Sequence, residues 1–365
     1  MRTRRHPDFF LLGLVFILVV FGLVILSSAS SDLGKTKWND SYYFLKHQLL
    51  YGLSLGIVGF LFAYFIPYQN FKKIALILLI LNLGLVALVF VPGLGVSAGG
   101  ASRWIKLGPY TFQPAELLKL TFILYLASWL TDLKSRRAKD FKRGFLPFIV
   151  ICGIVAGLLI FQPATSTVAI LLAAALCMYF LSGAEWKYIF SIISLGALGL
   201  AILVIVTPYR LQRITSFLRP SQDSLGSNYH LNQAKIAIGS GELFGTGFGK
   251  STAKTTYLPA VIDDSIFAVM AQELGFIGAA SLVVLFLLLT LRLFWMALKS
   301  RDQFGKLNLV GFAVIIGLQS LVNMGSISGI LPLTGVPLPF ISYGGTALAV
   351  FMTMSGVALN ISKNQ

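Results

Sequence analysis

The chain has 365 residues, 56% of them hydrophobic and only 12% charged, with 29 Phe, 35 Gly, two Cys and a formal charge of +16. A soluble domain carries roughly a quarter of its residues as charges, so this composition excludes one, and it equally excludes a disordered or disulfide-stapled secreted chain. It is the composition of a membrane protein.

Apolar runs of about 20 residues cross a hydrocarbon core of roughly 30 Å as helices. Ten can be read, near residues 9–27, 47–66, 74–91, 114–131, 145–161, 164–182, 187–206, 270–292, 308–328 and 342–361. Their apolarity is continuous rather than alternating, which argues against an outer-membrane barrel. The expected fold is an all-α polytopic bundle of about ten transmembrane helices, with residues 1–365 forming one integral membrane domain. A large extracytoplasmic loop, 207–263, is expected between helices 7 and 8. The first run follows Arg2, Arg4 and Arg5 and ends at Ser27-Ser28-Ala29-Ser30, as a secretory signal would. Its apolar stretch is longer than the roughly 7–15 residues of a signal core, so it is read as an uncleaved span.

Lys and Arg alternate unevenly between the two sides. One side holds 17, from Arg2 to Lys363 and including Lys134, Arg136, Arg137, Lys139, Lys142 and Arg143; the other holds 11, six of them spread over the long loop. The excess marks the cytoplasm, so both termini are expected there, in the cytoplasmic membrane. Short basic loops beside span ends are explained by topology and anionic lipid, and no nucleic-acid partner is expected.

In the first outer connection, 92–113, Arg103-Trp104 pairs a guanidinium suited to phosphate with an aromatic suited to the membrane interface. Glu116 and Lys119 follow Pro114 and share a helix face within the fourth span. Ionisable groups at that depth line a cavity or satisfy one another, and both readings stand at this point. The 57-residue connection is too long to be a mere linker. Within it, Leu231, Ala234 and Ile238 share a face, which predicts a short interfacial helix over 229–238. Five glycines then fall within 239–249. The run Gly245-Thr-Gly-Phe-Gly-Lys250-Ser251 is not a nucleotide-binding P-loop, because Phe244 stands where the first glycine belongs. Clustered N–H groups with Lys250 and Lys254 could still hold a phosphate, or form a plain turn.

Asp263-Asp264-Ser265 lead into the eighth span. An Asp there either caps the helix or serves as a general base at a cavity rim. Glu273, nine residues on, points elsewhere and reads as a packing or network residue. No His or Cys spacing suits zinc, since His6, His47 and His230 are scattered and Cys152 and Cys177 lie inside spans. Asp223, Glu242, Asp263 and Asp264 could join phosphates around a divalent cation, Mg or Mn.

Taken in order, Gly100-Ala-Ser-Arg-Trp-Ile105, Phe112-Gln-Pro-Ala-Glu-Leu-Leu-Lys119, Ala237-Ile-Gly-Ser-Gly241, Tyr257-Leu-Pro259, Phe267-Ala-Val269 and Glu273-Leu-Gly-Phe-Ile-Gly278 resemble the SEDS family. These are the FtsW/RodA/SpoVE peptidoglycan polymerases. The closing stretch Leu331-Pro-Leu-Thr-Gly-Val-Pro-Leu-Pro-Phe-Ile-Ser-Tyr-Gly-Gly345 is the most specific match. The resemblance implies a glycosyltransferase that polymerises lipid II into a nascent glycan strand outside the membrane, beside a class B penicillin-binding protein. It puts the essential aspartate at Asp264 and assigns substrate support to Arg103, Glu116, Lys119, Gln233 and Ser342. Tyr209-Arg-Leu-Gln-Arg-Ile214 and Phe217-Leu-Arg-Pro220 resemble the division branch, FtsW, more than the elongation branch. The chain departs from the family pattern at Ala260, at Gln272 before Glu273 and at His47 before Gln48. Two competing readings are a lipid II flippase lined by Glu116 and Lys119, and a non-catalytic scaffold for the transpeptidase.

Overall fold

The structure, a computed structural model, describes residues 6–98, 101–108, 110–132, 138–218, 228–252 and 258–364. Arg2, Arg4, Arg5, Gly100, Lys134, Arg136, Arg137, Arg219, Pro220, Asp223, Lys254 and Tyr257, all named above, lie outside the described residues.

The chain is mostly helical. Its helices are α1 (Phe9–Ala29), α2 (Ser31–Trp38), α3 (Tyr43–Phe65), α4 (Tyr68–Leu88), α5 (Pro114–Asp132), α6 (Phe141–Phe161) and α7 (Thr165–Leu181). They continue as α8 (Trp186–Val206), α9 (Pro208–Leu218), α10 (Tyr229–Ser240), α11 (Ile266–Lys299), α12 (Gln303–Ile327) and α13 (Gly345–Ser362). Among the described residues, eight helices are long and apolar enough to cross a membrane: α1, α3, α4, α6, α8, α11, α12 and α13. The remaining two expected spans coincide with α5, which carries Glu116 and Lys119, and with the shorter α7. Several helices outrun the apolar runs that announced them. The helix α11 begins four residues before its run and ends seven after it, since a helix boundary is set by backbone hydrogen bonding rather than by hydropathy.

One departure from the all-helical expectation lies between α4 and α5. Three short strands, β1 (Gly95–Ala98), β2 (Ala101–Leu107) and β3 (Tyr110–Phe112), form an antiparallel sheet in the order β1-β2-β3. Gly95 pairs with Ile105 and Ile105 with Phe112, so β2, which bears Arg103, is the central strand.

The bundle is built around α12 and α13. In α12, 78% of the apolar window is buried and in α13 72%, against 6% in α8 at the rim. Composition explains the order: α12 and α13 carry Asn308, Gln319, Ser320, Asn323, Ser355 and Asn360 inward, while Phe16, Val58, Leu81 and Ile205 on outer helices face outward. In lipid the apolar side chains are the solvated ones and small or polar residues make helix contacts. Gly356 lets α13 approach α3 so closely that an added Cβ would stand 2.5 Å from the Phe60 carbonyl oxygen. The two amide protons of Asn360, one of them shared, then reach the carbonyls of Ala63 (2.9 Å), Tyr64 (3.0 Å) and Ile66 (2.5 Å), supplying partners for the end of α3.

The helix α11 is broken at Gly275, whose φ of 68° and ψ of −167° suit glycine alone. The glycine-rich segment docks on that break. Thr246 and Gly247 N–H groups donate to the Gln272 and Glu273 carbonyls (2.9 and 3.1 Å), and Phe276 and Ile277 N–H groups donate back to Glu242 and Leu243 (2.8 and 3.2 Å). The N–H groups of Thr246 and Gly247 are therefore spent on α11 and are not offered to a phosphate. Glu273 faces α1, where Ser28 donates to it at 2.6 Å, as a network residue would. The predicted interfacial helix is α10, and its Leu231, Ala234 and Ala237 are buried against the bundle rather than laid on a membrane surface.

At Gly275 an added Cβ would stand 2.3 Å from the Gly245 nitrogen and 2.5 Å from the Leu243 oxygen. Gly275→Ala is expected to lose about 3 kcal/mol of stability from the backbone conformation and the clash. Gly84→Ala, which meets nothing within 4 Å, should be near neutral in the same detergent thermal-unfolding measurement.

Candidate functional site

The turn before α11 is held almost wholly by its own backbone and by side chains of the bundle centre. Ala260, at φ 48°, takes hydrogen bonds on its carbonyl from the N–H groups of Asp263 and Ser265, both at 3.1 Å. Ser265 is the residue at the helix N-cap, and its hydroxyl donates to the Pro259 carbonyl (2.9 Å). Having one proton to give, it accepts from His230 Nε2 at 2.5 Å, so that nitrogen carries the proton. Asn323, one side chain of α12, donates to both the Asp264 carbonyl (3.0 Å) and the Val336 carbonyl (2.8 Å). Ser342 donates to the Asp263 carbonyl (2.6 Å) and accepts from the Leu338 N–H (2.8 Å), and the Tyr343 N–H donates to Ile262 (2.9 Å). The turn at 259–265 and the closing stretch at 331–345 are thereby stitched into one unit.

The Asp264 carboxylate takes no part in this stitching. It caps no helix, and among the described residues it accepts no hydrogen bond. Asp264 is half-buried and Asp263 exposed by surface area, yet protein surrounds both on most sides, the condition of groups lining a recess. Gly335 forms one wall: a Cβ there would stand 3.3 Å from Asp264 Oδ2. Burial pushes Asp264 up to about 6, against the opposing pull of Arg213 and Arg103. Asp263 is pushed up to about 7 by burial and by the neighbouring Asp264 charge, with Lys37 pulling the other way. Burial pushes Arg103 below its ordinary value, while Asp264 counters the shift.

The two arginines reach the recess from different elements. Arg103, on β2, donates Nε to Gln162 O (3.0 Å) and Nη2 to Pro163 O (2.5 Å), which fixes the sheet against the end of α6. Arg213, on α9, donates to Leu333 O at 3.0 Å and lies 4.6 Å above the Tyr209 ring. Gln233 sits one turn beyond His230 on the same side of α10 and is half-buried.

Glu116 and Lys119 are elsewhere. Both are buried, at 2% and 0% exposure, and Lys119 Nζ gives all three of its protons to protein: two to Glu116 (2.7 and 2.8 Å) and one to Gln319 (2.7 Å). Gln319 in turn donates to Pro337 O at 2.8 Å. In this conformation the pair offers nothing to a ligand directly; it braces the closing stretch from behind. Ser342 likewise spends its hydroxyl on Asp263 and Leu338. Of the six residues expected to form a site, Asp264 and Arg103 come together electrostatically, Ser342 holds the backbone of Asp263 and Leu338, Glu116 and Lys119 pair with each other and with the Gln319 side chain, and Gln233 stands apart on α10.

The match to known proteins covers the whole arrangement. The model of the FtsW, RodA and SpoVE family, described as cell cycle proteins, matches residues 9–365. This chain belongs to that family. It is 38% identical to the probable peptidoglycan glycosyltransferase FtsW of Geobacter sp. (strain M18), over 99% of this chain and 98% of that protein. It is 35% identical to the stage V sporulation protein E of Bacillus subtilis (strain 168), over 100% and 99% of the two chains. A solved structure described as "Structural coordination of polymerization and crosslinking by a peptidoglycan synthase complex" superposes with a TM-score of 0.79 at 30% identity, covering 98% of this chain and 97% of that one.

Sequence reasoning missed several residues of this family member's recess. In the sequence Arg213 stands out only within the branch-like stretch Tyr209–Ile214, and His230 only as one of three scattered histidines. Nothing singled out Asn323 except an amide in the middle of an apolar helix, which was the available signal.

Because the Lys119 ammonium is fully enclosed, Lys119→Met leaves the Glu116 carboxylate buried alone and should cost about 3–5 kcal/mol in detergent thermal unfolding. The double change Lys119→Met with Glu116→Leu is expected to recover most of that loss. Equal loss in both variants would show that Glu116 is not paired.

Proposed function

We propose that this family member is a peptidoglycan glycosyltransferase that polymerises lipid II on the outer face of the cytoplasmic membrane, with Asp264 as general base. The observation that carries the reading is a single one. Among the described residues, a half-buried carboxylate that accepts no hydrogen bond is pushed up to about 6 while feeling the charges of Arg213 and Arg103. A base poised near the working pH combines a useful ionised fraction with a real affinity for the proton.

The chemistry follows from where the reaction takes place. Outside the membrane there is no nucleotide pool, so the donor sugar carries its own leaving group as a lipid-linked pyrophosphate. Asp264 accepts the proton of the 4-hydroxyl on the GlcNAc of an incoming lipid II. The oxygen attacks the anomeric carbon of the terminal MurNAc of the growing strand. The bond from that carbon to the pyrophosphate breaks, and undecaprenyl pyrophosphate leaves with the electron pair. Arg103 and Arg213 face the negative charge that develops on the leaving group and need no reorganisation to meet it.

Among the described residues no three metal-binding side chains come together. Asp263 and Asp264 alone could hold a Mg or Mn ion, which takes its other ligands from pyrophosphate and water. Such an ion, when bound, would add to the arginines' neutralisation of the leaving group.

Residues 1–365 act in this reading as one membrane-embedded unit, with both termini in the cytoplasm, 207–263 outside and the recess at the outer leaflet. The similar solved complex couples polymerization to crosslinking. A single-span class B penicillin-binding protein is accordingly the proposed partner here. The likeness to the Geobacter protein favours the division branch. The closed Glu116–Lys119 pair, with every ammonium proton taken, counts against a flippase path through these residues.

Asp264→Asn keeps the size of the side chain and removes the base. Purified protein with this change is expected to lose glycan-strand formation by about 10²–10⁴-fold on lipid II, with its unfolding temperature retained. Polymerisation at the parental rate would refute the assignment. In the unsubstituted protein, kcat/KM should rise with pH through about 6 as Asp264 loses its proton. Arg213→Ala removes a cation that favours the ionised form, so the rising limb should move to higher pH.

A further inference from the structure

A second built feature lies at the opposite end of α11, about 40 Å of helix from Ile266 by the rise to Arg292. Here the start of α1 meets the end of α11. Asp8 caps α1 by accepting from the Leu11 N–H (2.9 Å) and pairs with Arg292 at 2.7 Å. The Arg292 guanidinium stands 4.1 Å from the centre of the Trp295 ring, and Lys299 Nζ 3.4 Å from the same centre. Around these groups opens a recess of about 520 Å³ that also takes in His6, Arg301 and Ser362. Its charges do not balance, since Arg292, Lys299 and Arg301 face the single carboxylate of Asp8. A hollow of about 420 Å³ continues from it through the shared residues Phe10, Arg292 and Trp295. That continuation is an apolar groove walled by Leu288, Leu291, Phe294 and Leu298.

We propose that the two hollows form one binding site for an anionic glycerophospholipid. Its phosphate sits among Arg292, Lys299 and Arg301, and one acyl chain lies along α11 between Leu288 and Leu298. Two features select this occupant. The excess of positive charge rejects the cation of a zwitterionic headgroup and favours a net negative one. The groove gives a free anion nothing to bind, whereas an acyl chain would cover Leu298, which is 79% exposed. Trp295, amphipathic and at the junction, is placed as interfacial tryptophans are, between headgroup and chain. No group in this site takes part in the sugar chemistry proposed for Asp264, and the inference stands independently of it.

The test is native mass spectrometry of the full-length protein, delipidated in detergent and titrated with dioleoyl phosphatidylglycerol or dioleoyl phosphatidylcholine. Phosphatidylglycerol adducts should appear at about tenfold lower lipid concentration than phosphatidylcholine adducts. Lys299→Glu with Arg301→Glu, both on exposed side chains, should abolish that preference. Lys187→Glu, at an exposed lysine paired with Glu185 elsewhere, should keep it. Leu291→Gln should weaken long-chain phosphatidylglycerol without changing the weak binding of the dihexanoyl form. Equal occupancy by the two dioleoyl lipids, or an unchanged preference in the double variant, would overturn the proposal. So would competition by inorganic phosphate alone, which would assign the recess to a free anion. A doubled protein mass that disappears in these variants would assign the face to a second copy of the chain.

Discussion

Irregular backbone inside a bundle of this kind has no water to fall back on, so each peptide group outside a helix must find its partner on a side chain or another strand of chain. That constraint organises the centre of the molecule. The closing stretch 331–345 runs through the bundle without regular structure, and its carbonyls and N–H groups are met one by one. Asn323 takes Val336, Gln319 takes Pro337, Ser342 takes Leu338, and Gln48 accepts from Gly344 at 3.1 Å. Because Asn323 and Ser342 also hold the carbonyls of Asp264 and Asp263, satisfying the closing stretch and positioning the acidic turn are the same act.

The buried ion pair gains a role from this geometry. Isolated pairs in a low-dielectric interior return little beyond their desolvation cost. Lys119, however, also donates to Gln319, which fixes the amide so that its nitrogen points at Pro337. Removing the cation therefore frees a rotor at the base of the closing stretch as well as exposing a lone carboxylate to apolar surroundings. The Asp264 carboxylate at the other end of this support is left out of the network, and its proton affinity is a balance. Burial raises it while two arginines restrain it, so it remains ionisable near neutrality.

Much of the architecture was legible in the apolar runs, since a helix that must bridge lipid announces itself by length. What the runs could not give was the inward face, because α12 and α13 bury polar, small and large apolar residues alike, so hydropathy marks no side of them. The small sheet that carries Arg103 was also hidden: its strands are three to seven residues long, flanked by glycines, and read as loop. Asp264 was visible from its place before a helix, where the residues alone favour capping and only the family resemblance favours acid–base work. Ser265 occupies the cap position, which leaves the Asp264 carboxylate outside the cap. Arg213 and His230 could not be assigned because their distance along the chain from Asp264 is closed only by the packing of α9 and α10.

The positions where the chain departs from its family's pattern keep a physical logic. Gln272 stands where an acid is usual, and its amide both accepts from Ser251 (2.5 Å) and donates to Ser240 (2.9 Å) and Thr252 (3.3 Å). A carboxylate there could only accept, and would carry a charge into a site already 96% enclosed. The neutral amide instead ties the glycine-rich segment to α11 from two sides, next to the break at Gly275. His47, in place of the usual arginine, meets the Tyr343 hydroxyl at 2.9 Å while Gln48 beside it holds Gly344, so the end of the closing stretch is still fastened to α3. In both cases a neutral side chain supplies the hydrogen bonds that fasten the irregular segments.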